Sequence, residues 1–499
     1  MEQQAEIERK YDVPVDAELP HLSAMDGLTE LGPAQDLDQT ATYYDTADLR
    51  LLTARITLRR RVGGVDDGWH LKLPGAGPDE RQEVRLAPGD DDSSCPPELL
   101  DRVRVLVRDA EVAPVLVLRT RRRVHRLVSP SGTVLAEVCD DRVEARLPDR
   151  AEEPETWREW EVELVDGDPD VLDQLEALLG TAGARRSSAG SKAARALSTR
   201  SPGDGWRARE QLPAKPTAGD LLASYLSTHL AKLHQQDMLL RSGEQEGVHQ
   251  VRVAARRLRS ALATYERILE PGSARELREE LRWLGLSLSD ARDAQVLRGR
   301  LRDAVAAQPP ELVLGPVATR IDDELRERFR AGRARADEAL SSARYFRLLD
   351  DLEDLVLLPP LTAEGQRPAR TVVPRLLRRD LRRVLKRHRR TEGAQDVAAV
   401  ELALHDVRKA AKRLRYAGES ARPVLGKRAK KLAKRSEAIQ ELLGEHQDTV
   451  VARATLREIG VRAHLDGENG FTFGRLHALQ EARAAELRAA YPRLIRRLR

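Results

Sequence analysis

Carboxylates and cations recur at every second position in several stretches of this chain. Glu6, Glu8 and Lys10 form one such row, and Arg59 with Arg61 another. Then come His70 with Lys72, the trio Arg81, Glu83 and Arg85, the trio Arg119, Arg121 and Arg123, and finally Glu159, Glu161 and Glu163. Residues two apart on a β-strand share a face, so each row points to one side of a strand. Trp160, Val162 and Leu164 take the side opposite the last row. A half-buried sheet with its charged side in water explains any single row. Six rows mixing both signs point to a closed sheet with a charged lumen and apolar outer positions packed under helices. Such a lumen has a chemical use. Closely spaced carboxylates repel unless a divalent cation neutralises them, and all-oxygen ligation suits Mg2+ or Mn2+. Arg and Lys opposite would grip phosphate oxygens. The metal would polarise a phosphoryl group and orient an attacking water.

A second chemistry-bearing pattern lies in the other half. HQVRVAARRLR, His249 to Arg259, returns as HDVRKAAKRLR, His405 to Arg415, at an offset of 156. Leu284 to Asp293 matches Ile439 to Asp448 at 155, and Lys232 and His234 match Lys386 and His388 at 154. Three blocks in one order at nearly one offset read as an internal duplication of about 150 residues. Ala, Leu, Arg and Lys dominate both copies without Gly or Pro, so both are predicted helices. His249, Arg252, Arg256 and Arg259 stack on one helical stripe, as do His405, Arg408, Lys412 and Arg415. The apolar stripes (Val248, Val251, Ala255, Leu258; Leu404, Val407, Ala411, Leu414) lie directly beside the basic ones, at the edge of a core. Two like charges about 8 Å apart at an effective dielectric near 20 repel by about 2 kcal/mol. Two such stripes facing one cavity favour a multivalent anionic guest. The alternative is a solvated basic face paired to Asp290, Asp293 and Asp448.

These patterns need elements to hold them. Alternation predicts strands at residues 4–11, 55–62, 69–73, 81–86, 115–128, 133–141 and 157–165, separated by Gly-rich breaks. A helix suits residues 169–180. Residues 201–218, rich in Pro and poor in apolar side chains, read as a linker. Residues 219–499 read as helical, in two repeats of about 219–358 and 371–499. Arg375 to Arg390 carries nine Lys/Arg against Asp380, a run that adds to the anion case.

The motifs resemble two families. The twice-written His-x-x-Arg-x-x-x-[Arg/Lys]-Arg-Leu-Arg helix, each time followed by an Asp-ending helix, resembles the CHAD family over about residues 219–499. That resemblance implies helical-bundle repeats around a basic centre that binds inorganic polyphosphate, through His249, Arg252, Arg256, Arg259, His405, Arg408, Lys412 and Arg415. Arg292 of the first repeat becomes Gln447 in the second, so the halves are chemically unequal. Glu6-Ile-Glu8-Arg-Lys10 resembles the CYTH family, the triphosphate tunnel metalloenzymes, over residues 1–200. It does so together with Thr57 to Arg61, the strand ending in Lys72, the Arg119/Arg121 pair, Asp141, Glu161-Val-Glu163 and Ser191-Lys192-Ala-Ala-Arg195. It implies an eight-stranded antiparallel tunnel in an α+β, multidomain chain whose C-terminal part is an all-α duplicated bundle. It implies a metal set of Glu6, Glu8, Asp141, Glu161 and Glu163, with Glu83 and Glu137 as further members. It also implies a triphosphate set of Lys10, Arg59, Arg61, Lys72, Arg119, Arg121 and Lys192, with catalysis expected of Lys10 and Arg59.

The composition narrows the classes. The chain has 499 residues, 33% charged and 3% aromatic, with a net charge of +4. So few aromatics argue against stacking platforms for single-stranded nucleic acid. Cys95 and Cys139 make neither a disulfide framework nor a zinc set, and a reducing cytoplasm is the simplest home. Association with polyphosphate granules is a further expectation. No apolar run reaches membrane-spanning length, and the polar, acidic start is no signal peptide. The expectation is a Mg2+- or Mn2+-dependent hydrolase of inorganic triphosphate tethered to a polyphosphate binder. Alternatives are a non-catalytic scaffold, an adenylate cyclase or a thiamine-triphosphate hydrolase.

Overall fold

The computed structural model describes every residue except 1, 23–28, 65, 90–93, 149–152, 201–204, 245 and 499. It forms two compact units, Met1–Asp204 and Gly205–Arg499. The first contains eight long strands: β1 (Glu2–Asp12), β2 (Gln35–Asp45), β3 (Thr57–Val62), β4 (Gly68–Pro74), β5 (Glu80–Leu86), β6 (Ala113–Val128), β7 (Val134–Arg146) and β8 (Glu155–Leu164). Their antiparallel order is β1-β5-β4-β3-β2-β6-β7-β8, and β8 pairs back onto β1 to close the barrel. The two-residue strands Thr29–Glu30 and Arg185–Arg186 extend β6 and β1. Closure removes every long edge, so each strand has an inside and an outside.

The outside of β1, β7 and β8 is apolar. Tyr11, Val138, Trp160 and Val162 pack under α1 (Asp170–Thr181), which inserts Leu172, Leu175 and Leu179. One end of the barrel is filled by Leu118, Val143, Ala145 and Trp157, with Ala193 and Leu197 from the short helix α2 (Lys192–Ala196) and its end. β2 is the strand that alternation does not reveal. Its sequence, QDLDQTATYYD, puts polar residues on both faces, with Gln39 and Tyr43 directed into the lumen.

The second unit is helical: α3 (Ala218–Arg241), α4 (Gly247–Tyr265), α5 (Arg275–Ser287), α6 (Ser289–Ala306), α7 (Val317–Leu340), α8 (Ala343–Leu357), α9 (Ala369–Glu392), α10 (Val397–Ser420), α11 (Lys427–Leu465) and α12 (Phe471–Leu498). The helices α3, α4, α5–α6 and α7 recur as α9, α10, α11 and α12, with α8 between the repeats. The break at Leu288 between α5 and α6 has no counterpart in α11, which runs unbroken through Leu443. The repeats share a core, in which Leu301 and Ile321 of the first meet Leu456 and Phe473 of the second. Among the described residues, no helix is long and apolar enough to cross a membrane.

The expected linker, residues 201–218, falls across the boundary between the two units. Residues 201–204 lie outside the described residues, and 205–218 belong to the helical unit. Gly205–Glu210 is a 3-10 helix whose Trp206 is buried. The Trp206 carbonyl accepts from Ser227 Oγ at 3.0 Å, and its ring meets His234 edge-on at 5.4 Å. Burying one large aromatic outweighs the flexible composition around it. Thr217 then starts α3 with a capping box to Asp220.

Candidate functional site

Strand register builds one acidic wall of the tunnel. Glu8 lies opposite Glu163 across β1 and β8, and Glu163 opposite Glu137 across β8 and β7. One step along, Lys10 lies opposite Glu161. A further step brings Glu159, Asp141 and Arg122 into line across β8, β7 and β6. The cationic wall comes from β3 and β4, where Arg59, Arg61 and Lys72 point inward. The lumen between the walls holds about 290 Å3.

The lumen cations pair with its carboxylates, both within a wall and between walls. Lys10 Nζ lies 2.6 Å from Glu8 and 3.0 Å from Glu161. Lys72 Nζ lies 2.5 Å from Glu6, 3.8 Å from Glu83 and 3.9 Å from Glu8. Arg59 reaches the Tyr43 hydroxyl at 3.3 Å and Glu83 at 3.8 Å. Burial opposes the Glu8 charge, yet Lys10 and Lys72 outweigh it and pull the pKa to about 2. Burial likewise opposes the Lys10 charge, and Glu161 and Glu8 overcome it. Two groups remain under-compensated. Burial and Arg59 lower the Arg61 pKa to about 10. Burial, Glu6 and Glu8 raise the Glu163 pKa to about 7.

Among the described residues, Asp141, Glu159 and Glu161, all buried, bring carboxylate oxygens within 4.8 Å of one another. A lysine ammonium already sits among them: Lys192 Nζ is 2.9 Å from Asp141, 2.9 Å from Glu159 and 2.6 Å from Glu161. Ser191 caps α2 by accepting from the Ala194 N–H, which sets where Lys192 starts. Glu6, Glu8 and Glu163 form a second carboxylate set on the lumen, where burial and the charges of Glu6 and Glu8 raise the Glu163 carboxyl. In the chemistry of its donors this set is all oxygen, as Mg2+ or Mn2+ requires.

The structure places Glu6, Glu8, Lys10, Arg59, Arg61, Lys72, Glu161, Glu163 and Lys192 around the lumen, with Glu83 and Glu137. Asp141 is fully buried against Lys192 and Arg122. Arg119 and Arg121 are the correction. They lie on the outer face of β6, where Arg121 is 86% exposed beside an equally exposed Asp38. The inward positions are Leu118, Thr120, Arg122, Val124 and Arg126. Arg122 holds Asp141 through two bonds, Nε at 2.8 Å and Nη2 at 2.6 Å, and also bonds Glu161. The run RTRRRVHR is basic at both parities, so alternation alone does not select Arg122. The apolar Leu116, Leu118 and Val124 share the parity of Arg122, so the expectation of apolar outer positions points the wrong way on this strand. Asp66, bonded to Arg61, and Glu159 also escaped the site reading.

In the helical unit α4 and α10 pack together, and their stripes converge. Arg256 donates to the Tyr416 hydroxyl at 3.0 Å, and Arg257 pairs with Glu419. Burial together with Arg408, Arg256, Arg252 and Arg259 drives the Lys412 pKa down to about 6. Arg408 Nε is buried without a hydrogen-bond partner, and Arg408 feels Arg256 and Arg252. Part of the stripe is neutralised: Arg252 reaches Asp293 at 2.7 Å, and Arg415 reaches Glu419 and Glu437 at 2.8 and 2.7 Å. Asp290 pairs elsewhere, with Arg335 at 2.6 Å. Burial keeps both stripe histidines below their usual pKa, with Arg292 next for His249 and Lys409 next for His405.

Comparison with known proteins places both units. The CYTH domain model matches residues 4–197 and the CHAD domain model matches residues 224–457. Two Mycobacterium tuberculosis chains with the names "Uncharacterized protein MT2285" and "Uncharacterized protein Rv2226" are each 38% identical over 500 residues, covering 96% of this chain and 93% of theirs. The chain belongs to the CYTH–CHAD family. A segment of 73 residues, 14% of this chain, is 42% identical to 27% of the human protein "Thiamine-triphosphatase". The solved PptA from Streptomyces chartreusis is similar at a TM-score of 0.47 and 20% identity, over 56% of this chain and 99% of its own. The solved CHAD domain of the plant Ricinus communis is similar at a TM-score of 0.46 and 29% identity, over 58% of this chain and 94% of its own.

Proposed function

We propose that the CYTH tunnel hydrolyses inorganic triphosphate with a divalent cation and that the duplicated CHAD stripe binds polyphosphate. The observation that carries the first part is an acidic wall facing a cationic wall inside one closed lumen. A linear phosphate chain would compete for Arg59, Arg61 and Lys72 with their partners Glu83, Asp66 and Glu6. Glu6, Glu8 and Glu163 would hold Mg2+ or Mn2+, which when bound polarises a phosphoryl group and orients water. Arg59 and Arg61 orient the chain and stabilise charge on its terminal oxygens. Lys10 and Lys72, released from their carboxylates, neutralise the diphosphate that leaves when the water oxygen replaces the bridging oxygen at phosphorus. Tyr43 is the aromatic among the described lumen residues, which leaves little for a thiamine ring to stack on and favours the inorganic substrate. The test is phosphate release from triphosphate, ATP and thiamine triphosphate with Mg2+ or Mn2+. A chain that binds triphosphate but releases no phosphate with either ion is a scaffold.

Replacing Arg59 by Ala is expected to weaken triphosphate binding about tenfold or more, the worth of a charge-assisted contact. Arg121→Ala, a change on the outer face, is expected to leave binding at the native value. Equal losses in both would contradict the parity of β6. Metal binding is also expected to depend on pH. Glu163 holds its proton below about pH 7 because of burial, Glu6 and Glu8, so an ion must displace that proton. Mn2+ affinity should therefore rise from pH 6 to 8, with proton release that Glu163→Gln abolishes. Calorimetry in buffers of different ionisation enthalpy reads both, and pH-independent affinity would put the ion elsewhere.

A further inference from the structure

The duplication also carries a pair of equivalent grooves outside the stripes, and the two have diverged. In the first repeat, α3 lines a groove of about 490 Å3 with Leu221, Ser224, Tyr225, Thr228, His229 and Lys232. At the offset of 154 that aligns Lys232 with Lys386, the same positions of α9 are Arg375, Arg378, Arg379, Arg382, Arg383 and Lys386. All of these line a cleft of about 690 Å3. The opposite wall follows the same logic at an offset of 156, where Pro423 of the first groove is matched by Arg267 of the second. Five neutral side chains have become five arginines, while the lysine is kept.

These cations are poorly compensated. Arg387 pairs with Asp406 at 2.7 Å. Asp380 lies beneath the cleft, 2.9 Å from Arg413 and 3.9 Å from Arg383. Among the described residues, Arg375, Arg378, Arg379, Arg382, Lys386 and Arg390 have no ion pair. Arg379 Nη1 is shut off from water with no hydrogen-bond partner. Glu364 is the acidic residue of the lining. Arg375 to Arg390 spans 15 helical steps, about 22 Å. So many like charges on one face repel unless an extended anion lies along them. A merely solvated helix face does not explain why they line a concave cleft, or why the matching face of α3 stays nearly neutral. The described lining holds no aromatic side chain, so nothing there stacks a base.

We infer that the α9 cleft is a second polyanion site, for linear inorganic polyphosphate, separate from the α4/α10 stripe. The two share no residue. The inference takes only the ligand's identity from the reading of the stripe, and its position rests on the cleft itself.

The full chain should be titrated with polyphosphate of defined length at several salt concentrations. Arg375→Gln, Arg378→Gln and Arg382→Gln together alter exposed side chains, and circular dichroism checks the fold. This variant should lose one binding event by about tenfold or more, with a salt slope shallower by about two to three. It should keep the proton uptake that an anion on the α4/α10 stripe causes by returning Lys412 toward its ordinary pKa. The stripe variant Arg252→Ala, Arg256→Ala, Arg408→Ala and Lys412→Ala should show the reverse, losing proton uptake and keeping the cleft event. Native stoichiometry and slope in the cleft variant would overturn the inference. So would single-stranded DNA of matched charge displacing polyphosphate from the cleft equally well. A stripe variant that keeps both events defeats the stripe reading and leaves the cleft standing.

Discussion

Glu8→Gln is expected to cut metal-dependent phosphate release by about 100-fold or more while leaving the barrel folded. Glu8 lies in register with Glu163 and, with Glu6, supplies the negative charge that raises Glu163. Gln keeps the size and one oxygen of Glu8 but removes the charge a divalent ion needs. Losing an outer-sphere partner of a metal ligand already costs about 10–100-fold, so loss of a direct ligand belongs at or beyond that range. The fold survives because the cations that Glu8 holds have other partners. Lys10 keeps Glu161 at 3.0 Å, and Lys72 keeps Glu6 at 2.5 Å. The expected signature is a fall in kcat and in Mn2+ affinity, with thermal unfolding near the native temperature. Phosphate release and metal titration measure it. Full activity in this variant would remove Glu8 from the metal set and leave Asp141, Glu159 and Glu161, which Lys192 would first have to vacate.

What was legible in the sequence follows from how directly a side chain reports its surroundings. In β1 and β8 parity groups Glu6, Glu8 and Lys10 on one face and Glu161 and Glu163 on another, but it takes the family resemblance to read those faces, and Arg59 and Arg61 of the less regular β3, as lining the lumen. β2 escapes because neither of its faces is consistently apolar. Its lumen side carries Gln39, and its other side carries Asp36 and Asp38. β6 misleads because its arginines occupy both faces, and those at 119 and 121 are water-facing while Arg122 is the inward one. Ion pairing is the least legible feature. No spacing reveals that Lys192, from beyond the last long strand, fills the carboxylate trio. In the helical unit the repeat was legible from its offsets. The break at Leu288 and the burial of Trp206 depend on tertiary packing, which outranks local composition.

The four-site stripe variant should lose the proton-linked polyphosphate event by about 10,000-fold, since each of the four removed contacts is worth about tenfold. Its salt slope should become shallower by about three. Lys412 makes the event recognisable. Its pKa falls from the ordinary 10.5 to about 6 through burial and the neighbouring Arg408, Arg256, Arg252 and Arg259. Between those values the unfolded chain binds the proton and the folded chain does not. Stability of the unliganded helical unit therefore rises as pH rises from about 6 toward 10, and below about 6 the penalty is full. A polyanion laid on the stripe cancels the repulsion and returns Lys412 toward its ordinary pKa. Binding at pH 8 should then take up a proton, and calorimetry in two buffers of different ionisation enthalpy reads that uptake directly. The four-site variant should show no uptake and a flatter stability profile. Without ligand it should also be the more stable chain, because mutual repulsion is relieved, less whatever the arginine stems contribute by packing. The Arg256 bond to Tyr416 at 3.0 Å is one such contribution, so Arg256→Lys separates stem packing from charge. If the four-site variant binds with native affinity and native proton uptake, the anion does not lie between α4 and α10, and the arginine cleft of α9 must carry the binding alone.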